Sequence, residues 1–497
     1  MKSKMKIKIK LVEGLWLLAM ALFIVSCAKG VDDSETFSGG VTNAQLESPE
    51  EINFATTTNA DGSENLKLSW SVVMGAGGYK VNVHNMNDPV NPVAVVTDSI
   101  IDGSSMSFAK LEDTNYHISV LTLGNEKLNN TDAQMATEKD YKAFEAVATI
   151  HEGESLAEYV NNDMPDFAQN LEQCIVLEPG VTYQLDAIAD FGMNAVTLRG
   201  DVENRPTIVI GTDGGLVTQG GLKIKNVNID CTEMKTQVGI ISLSDSPNES
   251  VSTTSLGYVD LGAQAGRYVI NNPITFQNCN MKNVKNSIIY GNKVKWGVRD
   301  FRIMNCIIQL NTAKSIINFY GGGWIKDLTI NNSTIYNLNN TAEGYCIEFS
   351  SGSDAQPKKT WGNNDKTGSM TITNNTFCRT MSKKKFGNQL PTTSDITITV
   401  NHNIFYDVYQ LYQAINRNTK RYTIGNTIYG VTQTTNNNDI GGYTDSNGRA
   451  YATLEDPNFV GSIDLEFDFT KTNGGVDFTP RGSVAIENKA GDPRWYE

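Results

Sequence analysis

At three places in this chain an asparagine follows a short alternating apolar run, and the places are evenly spaced. "ITFQNCNMKN" sets Asn278 at the end of one run, "FRIMNCIIQL" sets Asn305 and "LTINNSTIYN" sets Asn332. Asn278 to Asn305 is 27 residues, and Asn305 to Asn332 is 27 again. From Cys174 onward the runs are short and bounded by Gly, Asn or Asp, the pattern of strands and turns. No long helical pattern follows them, which disfavours an α/β sheet. A repeat of this length without helices points to stacked coils. Each coil of three strands and three turns returns the chain to the same column about 4.8 Å further on. The expected fold is therefore all-β, with a parallel β-helix over residues 155–431.

Turn amides covered by coils above and below need hydrogen-bond partners. An asparagine directed inward can bond the local backbone and the asparagine of the next coil. Asn226, Asn278, Asn305 and Asn332 are accordingly expected to form a structural amide ladder. Asn226, in "GLKIKNVNID", falls 52 residues before Asn278, which reads as close to two coils. "MTITNNTFCR", "TVNHNIFYDV" and "YTIGNTIYGV" continue the frame. "GSDAQPKKTWGNNDKTG" reads as a loop leaving the coil. Cys279 and Cys306 hold equivalent positions and are expected side by side as buried thiols rather than as a disulfide.

The ends of the chain read differently. "MKSKMKIKIKLVEG" carries five lysines, and the twelve apolar or small residues "LWLLAMALFIVS" follow. That stretch is too short for a bilayer core of roughly 30 Å and suits a secretory signal. No later stretch is long enough for a transmembrane helix. "IVSC" resembles a bacterial lipobox, which implies that residues 1–26 are a lipoprotein signal peptide and that Cys27 is lipidated. Residues 27–45 read as a flexible tether, whose Asp32 and Asp33 resemble the surface-export signals of gut-type Gram-negative lipoproteins. Residues 46–150 contain short alternating strands such as "NLKLSWSV" and "GYKVNVHN". Trp70, Tyr79, Leu111 and Tyr116 resemble the core tryptophan and tyrosine corner of a fibronectin type III domain, which implies a spacer. Residues 155–173 suit one short amphipathic helix.

Charge narrows the class of partner. The full chain carries a formal net charge of −14. Without residues 1–26 it has 36 basic and 54 acidic residues. Such a balance argues against nucleic acid, which needs a basic face. Residues 274–431 nevertheless hold 18 Lys and Arg against 8 Asp and Glu. That local reversal favours a polyanion on this segment. The seven cysteines and four histidines show no zinc spacing.

The closing segment 432–497, with "DPNFVG", "EFDFTKT" and "RGSVAIENKAGDPRWYE", resembles the tail of bacterial secreted β-helix proteins and is expected to cap the rod. The whole of 155–497 resembles pectate-lyase-like right-handed β-helices. It is similar in particular to an uncharacterised lipoprotein family found beside polysaccharide-utilisation systems and often preceded by a fibronectin type III module. That resemblance implies an outer-membrane lipoprotein, with other polysaccharide-uptake surface proteins among its partners. It does not specify a catalytic mechanism.

Each plan for acting on pectic sugars can be tested on the residues. A polygalacturonase-like hydrolase needs clustered carboxylates, which that family presents as an Asp pair and a Gly-His-Gly. Here Gly-His-Gly is missing, and the adjacent Asp pair lies in the tether. A pectate lyase uses an arginine or lysine base and often calcium, which wants several oxygen ligands. "WIKD" at 324–327 lacks the Asp–His ending of one lyase motif, and "DSNG" at 445–448 reads as an ordinary turn. Cofactors are expected to be none, with calcium entering solely under a lyase reading, where Arg302 or Lys295 would be the base.

Binding asks for less. In "GLKIKN" the residues alternating with Leu222 and Ile224 point outward, giving Lys223 and Lys225. The same logic puts Arg302 in an exposed column with Lys223, Thr275 and Thr329. "YGNKVKWGVRD" adds Lys293, Lys295, Trp296 and Arg299, and "FYGGGWIKD" adds Tyr320 and Trp324. Aromatic faces stack on sugar rings, and flanking cations pair with carboxylates. Lys383, Lys384 and Lys385 read as a solvated loop tip. The favoured function is capture of an acidic, pectin-like polysaccharide on the flank of the helix. The alternatives are a lyase acting by β-elimination, and an adhesin or scaffold without glycan specificity.

Overall fold

The computed structural model describes residues 41–496, apart from 59–63, 87–90, 112–113, 144–145, 166–171, 340–343, 381–382, 410, 412–419 and 431–450. Cys27, the tether up to residue 40, and "DSNG" at 445–448 lie outside the described residues. The chain divides into two compact units, the second beginning at Ala146.

The first unit is a β-sandwich of two antiparallel sheets. One has three strands, Ile52–Thr58, Glu64–Trp70 and Ser105–Lys110; the other has four, Val93–Ile101, Gly78–Asn85, Tyr116–Leu123 and Thr137–Tyr141. Alternation along these strands puts Leu66, Leu68, Val81, Val83, Ile118 and Val120 fully inside. Trp70 meets Tyr79 edge-on at 5.4 Å. The Tyr116 hydroxyl accepts the Leu111 N–H at 2.8 Å. Leu111, read as part of the core, is 59% exposed: its backbone makes the contact, not its side chain.

The second unit is a parallel β-helix. Among the described residues its three sheets hold 11, 10 and 7 strands. Its first strand is Ala146–Ile150. That segment, expected in the sandwich, pairs with Glu172–Leu177 of the first sheet instead. Coils are numbered here by their first-sheet strand, beginning with Glu172–Leu177. Coil 3 starts at Leu222–Lys225, coil 4 at Ile274–Gln277, coil 5 at Trp296–Met304, coil 6 at Trp324–Asn331 and coil 7 at Gly368–Thr373. Stacking is in register: Leu198, Ile224, Phe276, Ile303, Ile330, Ile372 and Val400 form one inward column, wholly buried.

From coil 3 onward the corner between the first and second sheets is two residues long. Its first residue is Asn226, Asn278, Asn305, Asn332 or Asn374, each with φ between 49° and 57°. Left-handed backbone penalises most side chains, and asparagine tolerates it. His402 at φ 53° and Gly425 at φ 67° continue the column. The asparagines therefore recur because of backbone shape more than burial. One side-chain link matches the ladder idea, Asn278 Nδ2 to Asn226 Oδ1 at 3.1 Å. Asn305, by contrast, is exposed.

The inward residue is the second one of the corner. There Cys279 and Cys306 lie in adjacent coils as buried free thiols. Ser333, Asn375, Asn403 and Asn426 follow them as a buried polar ladder. Ser333 N–H donates to Asn375 Oδ1, Asn375 Nδ2 to Asn403 Oδ1, and Asn403 Nδ2 to Asn426 Oδ1, each at 3.0 Å. The expected ladder is thus one residue out of place. Asn226 and Asn278 also prove to be in adjacent coils, since Lys225 pairs with Gln277. The 52 residues between them are one coil carrying an insertion over 244–272.

The segment after residue 450 begins beyond the last coil, where Thr453–Leu454 pairs with Thr427–Tyr429. It then runs back along the outer side of the second sheet rather than staying at the end as a cap. Phe467, Val476, Phe478 and Trp495 pack there on Ile307, Tyr336 and Cys378.

Candidate functional site

The outer side of the first sheet carries most of the residues expected to bind sugar. Lys223, Thr275, Arg302 and Thr329 do share one register column. Arg302 turns to Asp300, with Nε 2.9 Å from Oδ1 and a second contact from its terminal nitrogen. Lys223 is half-buried, and Lys225 is buried at 8% exposure, a correction to its expected outward role. Trp296 and Trp324 are buried as well, at 0% and 2%. Trp296 donates its indole N–H to the Ser244 carbonyl at 2.9 Å, and Trp324 donates to Thr360 Oγ1 at 3.2 Å.

Two insertions explain this burial. Residues 244–272 and 349–367 fold over the first sheet and clasp each other. Gln264 N–H donates to the Lys359 carbonyl at 2.9 Å, and Asn363 N–H to the Leu261 carbonyl at 2.7 Å. Trp361, brought by the second insertion, packs edge-on against Trp324 at 5.5 Å. Arg299 lies over the Trp361 ring at 5.4 Å, bonds Asn271 Oδ1 at 3.0 Å and pairs with Asp365. Lys326 is held between Asp327 at 2.9 Å and Asp365 at 3.1 Å. Burial pushes the Asp365 carboxyl up, but its bonds from Arg299 and Lys326 outweigh that and hold it below its ordinary value. This flank is covered and its charges are matched.

The outer side of the third sheet has a different character. Its strands Ser287–Tyr290, Ile317–Asn318, Ile347–Glu348 and Gly387–Asn388 stack so that Tyr290, Asn318, Glu348 and Asn388 form an outward column. Along it run two adjoining hollows of about 260 and 320 Å³, which share Lys314, Asn318 and Tyr320. Lys314 stands on the wall that precedes the third sheet, and Lys293 on the wall that follows it. Tyr320 is 59% exposed at the rim. Its N–H donates to Asn318 Oδ1 at 3.1 Å, fixing both. The glycines after Tyr320 let the chain pass close over the end of coil 4. A Cβ on Gly322 would come within 2.1 Å of the Val294 carbonyl oxygen.

Glu348 is the carboxylate of this groove. Its Oε2 accepts from Ser315 Oγ at 2.6 Å, and its Oε1 from Asn388 Nδ2 at 3.2 Å. Tyrosine faces, lysine charges and oriented amides together suit a polar, ring-shaped ligand. Of the residues read from sequence, Lys293 and Tyr320 line the groove. Lys295 is exposed just before the Trp296–Met304 strand. Tyr290, Lys314, Asn318, Tyr345 and Glu348 were missed. Their signal was the recurrence of "SIIY", "SIIN" and "YCIE" about one coil apart. Among the described residues no group of three or more His, Cys, Asp or Glu is placed to hold a metal ion.

Two families match the chain, both described as domains of unknown function, one over residues 1–187 and the other, DUF4957, over residues 181–338. No curated protein matches it. Among solved structures it is similar to pectate lyase PelI from Erwinia chrysanthemi in complex with tetragalacturonic acid. That likeness has 12% identity, covers 66% of this chain and 84% of the other, and has a TM-score of 0.17. The assignment to the parallel β-helix class rests on the strand ladders themselves.

Proposed function

We propose that this chain binds an acidic polysaccharide in the groove along the third face of its β-helix. The observation that carries the reading is one hollow in which Lys293 and Lys314 face each other across Tyr290 and Tyr320, with no carboxylate in its lining. Lysines supply charge to the acid groups, tyrosine faces supply stacking area for the rings, and the site is open along the rod axis for a polymer. The excess of cations over residues 274–431 in an otherwise acidic chain supports the same reading.

Binding is favoured over elimination by the fate of the two bases suggested for a lyase. Neither Lys295 nor Arg302 is among the residues that line the groove. Arg302 is also engaged by Asp300. With Cys27 lipidated, the chain would be anchored in the outer membrane facing outward, beside other polysaccharide-uptake surface proteins. The sandwich would be a fibronectin type III-like spacer, on the strength of its three and four strands, the buried Trp70 and the Tyr116–Leu111 bond.

The test is affinity electrophoresis of the purified chain in gels containing acidic or neutral polysaccharides, with released unsaturated ends assayed in parallel. Retardation by an acidic polymer without new ends is expected. It should weaken about thirtyfold in Lys314→Met combined with Tyr320→Ala, since each contact contributes on the order of 1 kcal/mol, and weaken further with added salt. Lack of retardation by any acidic polymer would leave the adhesin reading.

A further inference from the structure

We infer that the groove selects a polysaccharide in which acidic sugars alternate with neutral ones. This rests on the binding reading above and concerns coils 4 to 7. Stacked strands are about 4.8 Å apart, and one pyranose of an extended chain advances about that far, so each coil faces about one sugar.

The two hollows differ in charge. The first, over coils 4 and 5, has Lys293 and Lys314 on opposite walls and suits one acid group clamped between them. The second, over coils 5 and 6, keeps the shared Lys314 but sets Glu348 beside it in place of a second lysine. That carboxylate is fixed by Ser315 and Asn388 and cannot swing away without giving up both bonds. A second carboxylate placed beside it would be repelled, whereas sugar hydroxyls can donate to it.

The wall preceding the third sheet repeats this alternation. In the register set by Ile317, Ile347 and Gly387, three residues earlier stand Lys314, Gly344 and Lys384. Gly344 rests on the backbone of Lys314: a Cβ there would lie 2.1 Å from the Lys314 carbonyl carbon. Coil 6 therefore offers no side chain at the cation position. Lys384, exposed, restores it one coil later. Cations two coils apart, roughly 9.6 Å, with a fixed carboxylate at the coil between them, match a disaccharide repeat of one acidic and one neutral sugar.

The experiment measures affinity of the full chain by calorimetry for three probes at one salt concentration. They are polygalacturonate, in which every sugar is acidic; an alternating galacturonate–rhamnose polymer; and hyaluronan, in which glucuronate alternates with N-acetylglucosamine. At least one alternating polymer is expected to bind about tenfold more tightly than polygalacturonate. Glu348→Gln, nearly isosteric, should raise polygalacturonate affinity several-fold and collapse that ratio. Lys384→Met should weaken the alternating polymer several-fold. Polygalacturonate binding as tightly as both alternating polymers, or a ratio unchanged in Glu348→Gln, overturns the inference while acidic-polysaccharide binding stands. Failure of all three probes overturns both.

Discussion

Coils 4 to 6 build their first and third faces from the same kind of ladder, yet the two faces have opposite fates. On the first, tryptophans and cations are drawn under two insertions, and Arg299, Lys326 and Asp365 neutralise one another. On the third, Lys314 and Tyr320 remain at the surface around two hollows. Aromatic and basic residues at coil spacing therefore do not by themselves mark a binding face. What distinguishes the faces is whether the chain supplies its own cover.

The largest effect should come from removing that cover. Trp361→Ala strips the ring between Trp324 and Arg299 and should lower stability by about 3–5 kcal/mol, read as a shift in the denaturant midpoint. Polysaccharide affinity of the folded fraction should be unchanged; a matching loss of affinity would mean that the faces are not independent.

The second face offers an intermediate effect through Asp492. Burial pushes this carboxyl up to about 6 from 3.8, against the opposing pull of Arg494 and the Thr334 hydroxyl, which donates at 2.9 Å. A pKa raised by folding contributes stability that is fully present below about 3.8 and lost as the pH rises through about 6. The contribution amounts to at most about 3 kcal/mol. Unfolding midpoints at acidic and neutral pH should show wild type gaining on Asp492→Asn as the pH falls. Parallel pH profiles for the two would refute the assignment.

The smallest effects separate the two columns of the corner. Asn403, wholly buried, donates to the Ile372 and Asn401 carbonyls at 2.9 Å. Asn403→Ala should cost about 1–3 kcal/mol by leaving those groups unpaired. Asn305→Ala should cost about 1 kcal/mol through its left-handed backbone, and Asn305→Gly less still. Equal costs at Asn403 and Asn305 would erase the distinction between inward and corner positions.

The rod was legible because one corner is kept at two residues, so the interval from Asn278 to Asn332 shows directly in the sequence. The same clarity misled at Asn226, where a one-coil insertion of nearly a coil's length mimicked a second coil. Periodicity told that Trp296 and Trp324 were equivalent, but whether an equivalent position is open depends on what folds over it. The cover, Trp361 and Asn271, arrives from segments with no period of their own. Lys314 and Glu348 were overlooked because the third-sheet strands are as short as two residues, too brief for alternation to stand out.

Both insertions enter between the third sheet and the first, never at the two-residue corner among the described residues. From coil 3 onward one edge of the rod thus keeps the pitch while the opposite edge is free to vary. New segments can be grafted there, beside the groove, without disturbing the stacking beneath. A lineage of such molecules could change what it grips by editing a margin and leaving the spine alone.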